Sequence, residues 1–167
     1  FKSTRGRGGV VENIFIEDIR MIDIPTDAIL FDLFYATKSP GPEASLEVPA
    51  DPVTEETPQF RNIHMRNIFC QGAKNAIYMQ GLPEMPVKQI SFENIVISAD
   101  AGATCIEAEG ITFKNVKIKA KEGPVFGFYN GRQISIEDAA VPEGEGKFIK
   151  LAGGKTGDIR LKGSDLS

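Results

Sequence analysis

The stretch Arg61-Asn-Ile-His-Met-Arg-Asn-Ile-Phe-Cys70 decides the fold, because its apolar pattern returns along the whole chain. With Ile63 at offset zero, apolar residues stand at offsets 0, 2, 5 and 7, and Asn67 stands at offset 4. Steps of two are typical of a strand with one buried face. The step of three across Asn67 breaks this alternation. We therefore predict a bend there, at a residue type that tolerates left-handed backbone angles.

Five further copies fit the same frame, and their first residues are Ile14, Ile90, Ile111, Ile134 and Ile159. Their bend positions carry Asp18, Asn94, Asn115, Asp138 and Gly163. The last two copies are weaker, since they continue with Ala139 and Val141 and with Ser164 and Leu166. We interpret the Asn and Asp column as structural, with side chains that hydrogen-bond along the stack.

The fold class follows from the spacing and from what lies between the copies. Successive first residues are 49, 27, 21, 23 and 25 positions apart, a period typical of solenoids. The connecting segments also alternate: 28–35, 76–80, 104–108, 125–129 and 148–151. A leucine-rich repeat would need a helical return path and more leucine. The sequence thus predicts an all-β, right-handed parallel β-helix of about six coils, made of strands and turns alone.

The domain organisation is predicted to be one β-helix domain over residues 1–167, with an excursion loop at residues 36–59. This loop contains five of the ten prolines, which cannot continue a coil strand. A functional loop and a solvated flap both remain open for it. Because the chain begins at Phe1 without an initiator Met or a signal segment, we expect that a segment upstream has been removed.

Composition excludes several classes of function. The net charge of −4 argues against a nucleic-acid partner or an anionic membrane surface. No apolar run approaches the roughly 20 residues of a membrane helix. The two cysteines, Cys70 and Cys105, lack metal-ligand spacing, and we expect buried free thiols rather than a disulfide. No metal or organic cofactor is expected.

A cationic segment opens the chain, with Lys2, Arg5 and Arg7 among glycines and no acid before Glu12. Cations beside flexible glycines suit a carboxylate, sulfate or phosphate ligand. A basic, mobile terminus is the alternative interpretation.

Three runs resemble glycoside hydrolase family 28, the polygalacturonases: Phe1 to Ile14, Asp27 to Tyr35, and Asn75 to Glu84. The resemblance covers at least Phe1 to about Lys121, with the segments in the same order. It implies that this chain is the C-terminal part of a longer right-handed parallel β-helix of extracellular or periplasmic location. It also implies hydrolysis of pectin, so the expected partner is an anionic polysaccharide such as polygalacturonate.

The resemblance also assigns substrate-binding residues. Phe1 and Lys2 match the last two positions of the family's Arg-x-Lys motif, whose cations hold the galacturonate carboxylate. Tyr35 matches a tyrosine that contacts substrate, and an aromatic ring beside a pyranose offers a stacking face and a hydroxyl. With Arg5 from the cationic segment, Lys2 and Tyr35 form the predicted substrate-binding set.

The family's catalytic groups have no counterpart in this sequence. An inverting glycosidase needs one carboxylic acid and at least one carboxylate base, supplied in the family by Asn-Thr-Asp and Asp-Asp motifs beside Gly-His-Gly. None of these motifs occurs here, and in the family all three precede Arg-x-Lys. Asp27 and Asp32 match no family acid, and we interpret His64 as a surface residue. We therefore expect no catalytic residue and no hydrolysis by this chain alone.

Two other functions stay open. A non-catalytic parallel β-helix could bind carbohydrate, or assemble with another chain through an exposed N-terminal coil. A pectate-lyase-like helix would need calcium-binding acids and a lyase arginine, neither of which can be placed.

Overall fold

The computed structural model describes residues 1–139 and 146–163. It is 68% strand and 3% helix, so the all-β prediction is confirmed. The described residues form seven strands and one short helix, α1 (Pro42–Ser45), which lies between the first two strands. The strands are β1 (Val10–Asp32), β2 (Gln59–Gln80), β3 (Val87–Ile106), β4 (Ala108–Tyr129), β5 (Arg132–Glu137), β6 (Ile149–Ala152) and β7 (Gly157–Lys162).

All strand pairs are parallel and belong to one sheet, in the order β1-β2-β3-β4-β5-β7, with β6 beside β4. The register places the first residues of the six copies in one row: Ile14, Ile63, Ile90, Ile111, Ile134 and Ile159. The repeat frame is thus confirmed, and the arrangement is consistent with a solenoid-like β-helix. The frame positions assigned to Val141, Ser164 and Leu166 lie outside the described residues.

The bend column has the geometry that the sequence predicts. Its six residues all have positive φ: Asp18 (59°), Asn67 (54°), Asn94 (54°), Asn115 (49°), Asp138 (52°) and Gly163 (61°). Asn67 donates a hydrogen bond to Asp18 over 2.9 Å, Asn94 to Asn67 over 3.4 Å, and Asn115 to Asn94 over 2.9 Å. The column therefore turns the chain and ties one coil to the next, which supports its structural interpretation.

A second bend column lies one residue before each copy, and the sequence frame does not contain it. Its members also have positive φ: Asn13, Asn62, Gln89, Gly110, Gln133 and Asp158. Asn62 donates to Asn13 over 2.5 Å. Gln89 and Gln133 are not residue types typical of left-handed backbone, so their conformation follows from the stacking of the coils.

The interior contains stacked apolar side chains in the same register. Phe92 and Phe113 lie ring on ring with centroids 5.1 Å apart. Cys70 and Cys105 are free and 1% and 0% exposed, which confirms the expected buried thiols. Burial raises the pKa of the Cys105 thiol to about 12 and also raises the pKa of Cys70, so both are protonated near neutral pH.

Charges of opposite sign alternate along the outside of the sheet. One row reads Glu17, Arg66, Glu93, Lys114, Glu137 and Lys162 in register. Arg66 pairs with Glu17, Lys114 lies 3.7 Å from Glu93, and Lys162 lies 3.5 Å from Glu137. These pairs are largely exposed to solvent, which screens them, so each contributes little to the stability of the fold.

The excursion loop packs across the outer face of the sheet, although the sequence left a solvated flap open. The loop ends at Pro58 rather than at residue 59, because β2 begins at Gln59. It also contains α1, so the prediction of a chain made of strands and turns alone is wrong for this segment. Pro42 stands in the first turn of this helix, where a missing N–H costs nothing. Ser45 is 2% exposed and accepts a 2.8 Å hydrogen bond from Gln80 Nε2.

No helix within residues 1–139 or 146–163 is long and apolar enough to cross a bilayer.

We predict that Asn94→Ala destabilises the chain more than Asn94→Gly does. Both variants lose the hydrogen bonds to Asn67 and Asn115, but only alanine retains a Cβ at φ 54°. A left-handed backbone costs a residue with a Cβ about 1 kcal/mol or more. Urea unfolding measures the difference in the free energy of unfolding between the two variants. Equal stability of the two variants would contradict the assignment of strain to this column.

Candidate functional site

The structure brings Lys2 and Tyr35 together on an exposed surface. The backbone positions both residues, since Ser3 N–H donates to Asp32 O over 2.8 Å and Tyr35 N–H donates to Ser3 O over 3.0 Å. Beneath them the Phe1 ring stacks on Phe31, with centroids 4.8 Å apart. The Lys2 Nζ lies 4.7 Å from the centre of the Tyr35 ring.

This pair offers two kinds of contact to a ligand. The Lys2 ammonium is exposed and can bind an anion, while Tyr35 is 51% exposed and presents a ring and a hydroxyl. A sugar acid has a carboxylate for the ammonium and an apolar ring face for the aromatic side chain. Lys2 and Tyr35 therefore present the two kinds of group that suit a uronate.

Arg5, the third predicted ligand, is engaged by acidic groups of the chain itself. Its Nε and Nη2 donate to the two oxygens of Glu84 over 2.7 and 2.8 Å, and its Nε lies 3.1 Å from Asp51. Nη2 also donates to Pro49 O over 3.2 Å. The hydrogen bonds that Arg5 donates to Glu84 raise the pKa of Arg5. In this structure Arg5 joins the N-terminal segment to the excursion loop and to the turn after β2, and its contact with substrate stays a prediction.

Glu84 is the buried partner of Arg5, and the sequence frame missed it. Its side chain is only 4% exposed and receives the bidentate Arg5 contact. Burial works to raise the pKa of Glu84, but the Arg5 hydrogen bond and charge outweigh it, so the pKa lies below its ordinary value. Its partner stands 79 residues away in sequence, and only the family-like run ending at Glu84 drew attention to this position.

The other polar candidates have structural partners. Asp27 accepts a 2.7 Å hydrogen bond from Asn75 Nδ2, and Asp32 accepts one of 2.7 Å from Phe34 N–H. Each carboxylate is thus hydrogen-bonded within the chain itself, and the exclusion of both from catalysis stays a prediction.

His64 lies on the outer face of β2 and is half-buried. Its Nε2 is 2.8 Å from Asn62 Oδ1 and its Nδ1 is 2.7 Å from Ser91 Oγ. Because Asn62 uses its amide N–H to donate to Asn13, its Oδ1 is the acceptor and Nε2 carries the proton. The Phe15 ring stacks on the imidazole at 5.0 Å. His64 thus belongs to a satisfied surface network.

A buried polar cluster near the C-terminal coils also escaped the sequence analysis. Glu107 is 2% exposed and accepts hydrogen bonds from Asn130 Nδ2 over 2.6 Å and from Lys155 Nζ over 3.1 Å. Glu107 and Asn130 have φ of 46° and 55°. These two residues form a third bend. The Lys155 ammonium neutralises the buried carboxylate of Glu107.

Among residues 1–139 and 146–163, no three His, Cys, Asp or Glu side chains are grouped to hold a metal ion. No protein-family model, curated protein or solved structure matches this chain.

We predict that Arg5→Ala lowers the free energy of unfolding by about 1–2 kcal/mol at neutral pH, because it leaves the Glu84 carboxylate buried without its partner. The pair stabilises the fold above the ordinary pKa of glutamate, and this is lost as pH falls through the lower folded pKa of Glu84. The deficit of the variant should therefore shrink in acid, as measured by urea unfolding at several pH values.

Arg7→Ala is the matched control, because Arg7 carries the same charge two residues away and is exposed. We expect a change within about 0.5 kcal/mol. An Arg5→Ala deficit that stays constant into acid would contradict the role of Glu84.

Proposed function

We propose that this chain is a polygalacturonase-like segment of glycoside hydrolase family 28 and binds galacturonate in pectin through Lys2 and Tyr35. The observation that supports this most directly is the approach of the Lys2 ammonium to within 4.7 Å of the Tyr35 ring centre. The family-like sequence runs on both sides of this contact add to the case. The proposed partner is an anionic polysaccharide, and the proposed location is extracellular or periplasmic.

The finer fold assignment is part of the same proposal. A right-handed winding with about six coils agrees with the six in-register copies and with the handedness of most parallel connections. In such a fold Lys2 and Tyr35 belong to successive coils and to one outer face. A linear polysaccharide can bind along that face.

The mechanism assigned to this chain is binding and orientation. Lys2 would pair with the carboxylate of one sugar unit, and the Tyr35 ring would pack against a pyranose face or donate from its hydroxyl. Cleavage by inversion needs an acid and a base about 6.5–9.5 Å apart, and the family's motifs for them are absent from the sequence. Arg5 would support the site through Glu84 and the excursion loop.

The rival proposal is a non-catalytic β-helix that binds carbohydrate or associates with another chain. One observation favours it. β1 is an edge strand of the described sheet, and it has exposed Phe15 (74%), Ile19 (39%) and Ile22 (55%). Next to it an apolar cavity of about 200 Å³ is lined by Phe1, Met21 and Ile68. Such an edge can pair with another β-strand.

For the binding proposal we predict that Lys2→Ala weakens galacturonate-oligomer affinity about tenfold, which is roughly 1.4 kcal/mol. Calorimetric titration at low salt measures this affinity. Added salt should lower the affinity of the unaltered chain toward that of the variant. Lys117→Ala removes an exposed lysine of β4 and should leave affinity unchanged.

Tyr35→Phe separates the two parts played by the tyrosine. Tyr35→Phe retains the ring, so it should keep more affinity than Tyr35→Ala.

Equal losses of affinity from the Lys2 and Lys117 variants would show that binding depends on net charge alone, which would contradict the proposed site.

Because the family's catalytic motifs are absent from the sequence, we predict that the purified chain releases no reducing sugar from polygalacturonate. The assay should include a catalytically complete polygalacturonase as positive control. Turnover that is abolished by Asp27→Asn or Asp32→Asn would contradict the absence of a catalytic acid in this chain.

A further inference from the structure

A serine, a histidine and an asparagine are hydrogen-bonded in series on the outer face of β2 and β3. The parallel register pairs His64 with Ser91, and Ser91 Oγ lies 2.7 Å from His64 Nδ1. The other ring nitrogen, Nε2, lies 2.8 Å from Oδ1 of Asn62, which belongs to the second bend column. The alignment of two coils and one left-handed bend therefore bring the three side chains together.

The amide of Asn62 fixes the direction of both hydrogen bonds. Its Nδ2 donates to Asn13 over 2.5 Å, so its Oδ1 accepts from Nε2–H of His64. The neutral imidazole then has no proton on Nδ1, and this nitrogen accepts from the Ser91 hydroxyl. A hydroxyl, a base and a group that orients the base thus stand in the order that nucleophilic catalysis by serine requires.

His64 and Ser91 also line a cavity of about 390 Å³, a size typical of small-molecule sites. Both residues are half-buried, so a ligand can reach them. The Phe15 ring stacks on the imidazole with centroids 5.0 Å apart, on the strand opposite to the one that carries Ser91. The nucleophile and its base therefore face the same space, and the base is supported from behind.

The charged residues of this cavity indicate the class of ligand. Glu17, Arg66 and Glu93 line it with two carboxylates against one guanidinium, which favours a neutral ligand over an anion. Arg66 uses Nε for its pair with Glu17, and a guanidinium has further N–H donors on its two terminal nitrogens. Because the backbone N–H groups of parallel strands bond within the ladder, Arg66 is the group of the lining that suits a developing oxyanion.

We propose that Ser91, His64 and Asn62 form a hydrolytic site for small neutral carboxylic esters on the outer face of the coil stack. This activity is separate from the proposed binding of uronate at Lys2 and Tyr35 and does not depend on it. It concerns ester bonds, so it does not supply the acid and base pair that glycosidic cleavage by inversion needs. Ser91 and His64 are the catalytic residues, and Asn62 is a positioning residue that acts through His64.

The reaction has two steps. Ser91 Oγ forms a bond to the ester carbonyl carbon while its proton passes to His64 Nδ1, and Arg66 stabilises the negative oxygen. The bond to the alcohol oxygen then breaks, the alcohol takes the proton from Nδ1, and an acyl-serine is left. Water attacks this acyl group and gives its proton to Nδ1. The carboxylic acid leaves as that proton returns to Ser91 Oγ.

The test incubates the full chain with p-nitrophenyl acetate and follows the release of p-nitrophenolate. Peptide mass spectrometry of the quenched reaction then locates the acetyl group. We expect acetyl on Ser91, and a rate that rises with pH over the range in which histidine loses its proton. Acetyl found on lysine side chains and not on Ser91 would overturn the proposal, because exposed amines react with this ester without any built site.

Variants identify the groups that act. Ser91→Ala and His64→Gln should each lower the rate about a hundredfold. Ser135→Ala is the matched control and should leave the rate unchanged, because Ser135 lies in the same outward row but donates its hydroxyl to Glu137. Circular dichroism checks that each variant is folded. A folded Ser91→Ala variant with the rate of the unaltered chain would overturn the proposal, and acetyl mapping on the unaltered chain decides the matter if that variant does not fold.

Two substitutions of Asn62 separate positioning from folding. Asn62→Ala and Asn62→Asp both lose the amide that donates to Asn13, but aspartate keeps an acceptor for Nε2–H of His64. Asn62→Ala should lower the rate about tenfold or more. Asn62→Asp should keep the rate at alkaline pH and move the pH midpoint of the rate upward, since a carboxylate favours the protonated imidazole. A pH profile that is the same in all three proteins would overturn the assignment of Asn62 to the site.

Discussion

Parallel hydrogen bonding between coils, in a register fixed by left-handed bends, is the constraint on which the rest of the structure depends. Each bend residue turns the strand and also places its side chain beside the equivalent residue of the next coil. A residue's neighbours are thus its equivalents in adjacent coils, some 21 to 49 positions away in sequence. The apolar stack and the charged row both follow from this alignment.

The repeat frame could be predicted because it depends on local chemistry. Two-residue alternation marks buried strand faces, and Asn, Asp and Gly mark bends, so the rows of Ile63 and Asn67 were readable from sequence. The second bend column was not, since Gln89 and Gln133 are ordinary residues that adopt left-handed backbone because their neighbours in the stack do. The short helix of the excursion loop also escaped, as one turn leaves no periodicity to detect.

The residues of the candidate site also divide into those that the sequence could predict and those that depend on contacts between distant segments. Lys2 and Tyr35 were named through resemblance, and the backbone hydrogen bonds of Ser3 to Asp32 and Tyr35 bring them side by side. Arg5 was named for its charge alone, and charge does not reveal the partner that occupies it. Glu84 and the excursion loop reach Arg5 through contacts between segments distant in sequence. A run of prolines signals departure from the coil but says nothing about the surface on which the segment comes to rest.

The alternating charges on the outer face have a consequence for misfolding. Apolar alternation rejects a coil that slips by one residue, because the slip would turn its buried side chains outward. A slip of two is harder to reject, because it keeps the inward residues of each strand segment inward on either side of the bend. Such a slip would place Arg66 beside Phe15 in place of Glu17 and move Asn67 away from Asp18. Interactions too weak to matter much for overall stability therefore distinguish the native alignment from its nearest competitor, and a repetitive chain has many such competitors.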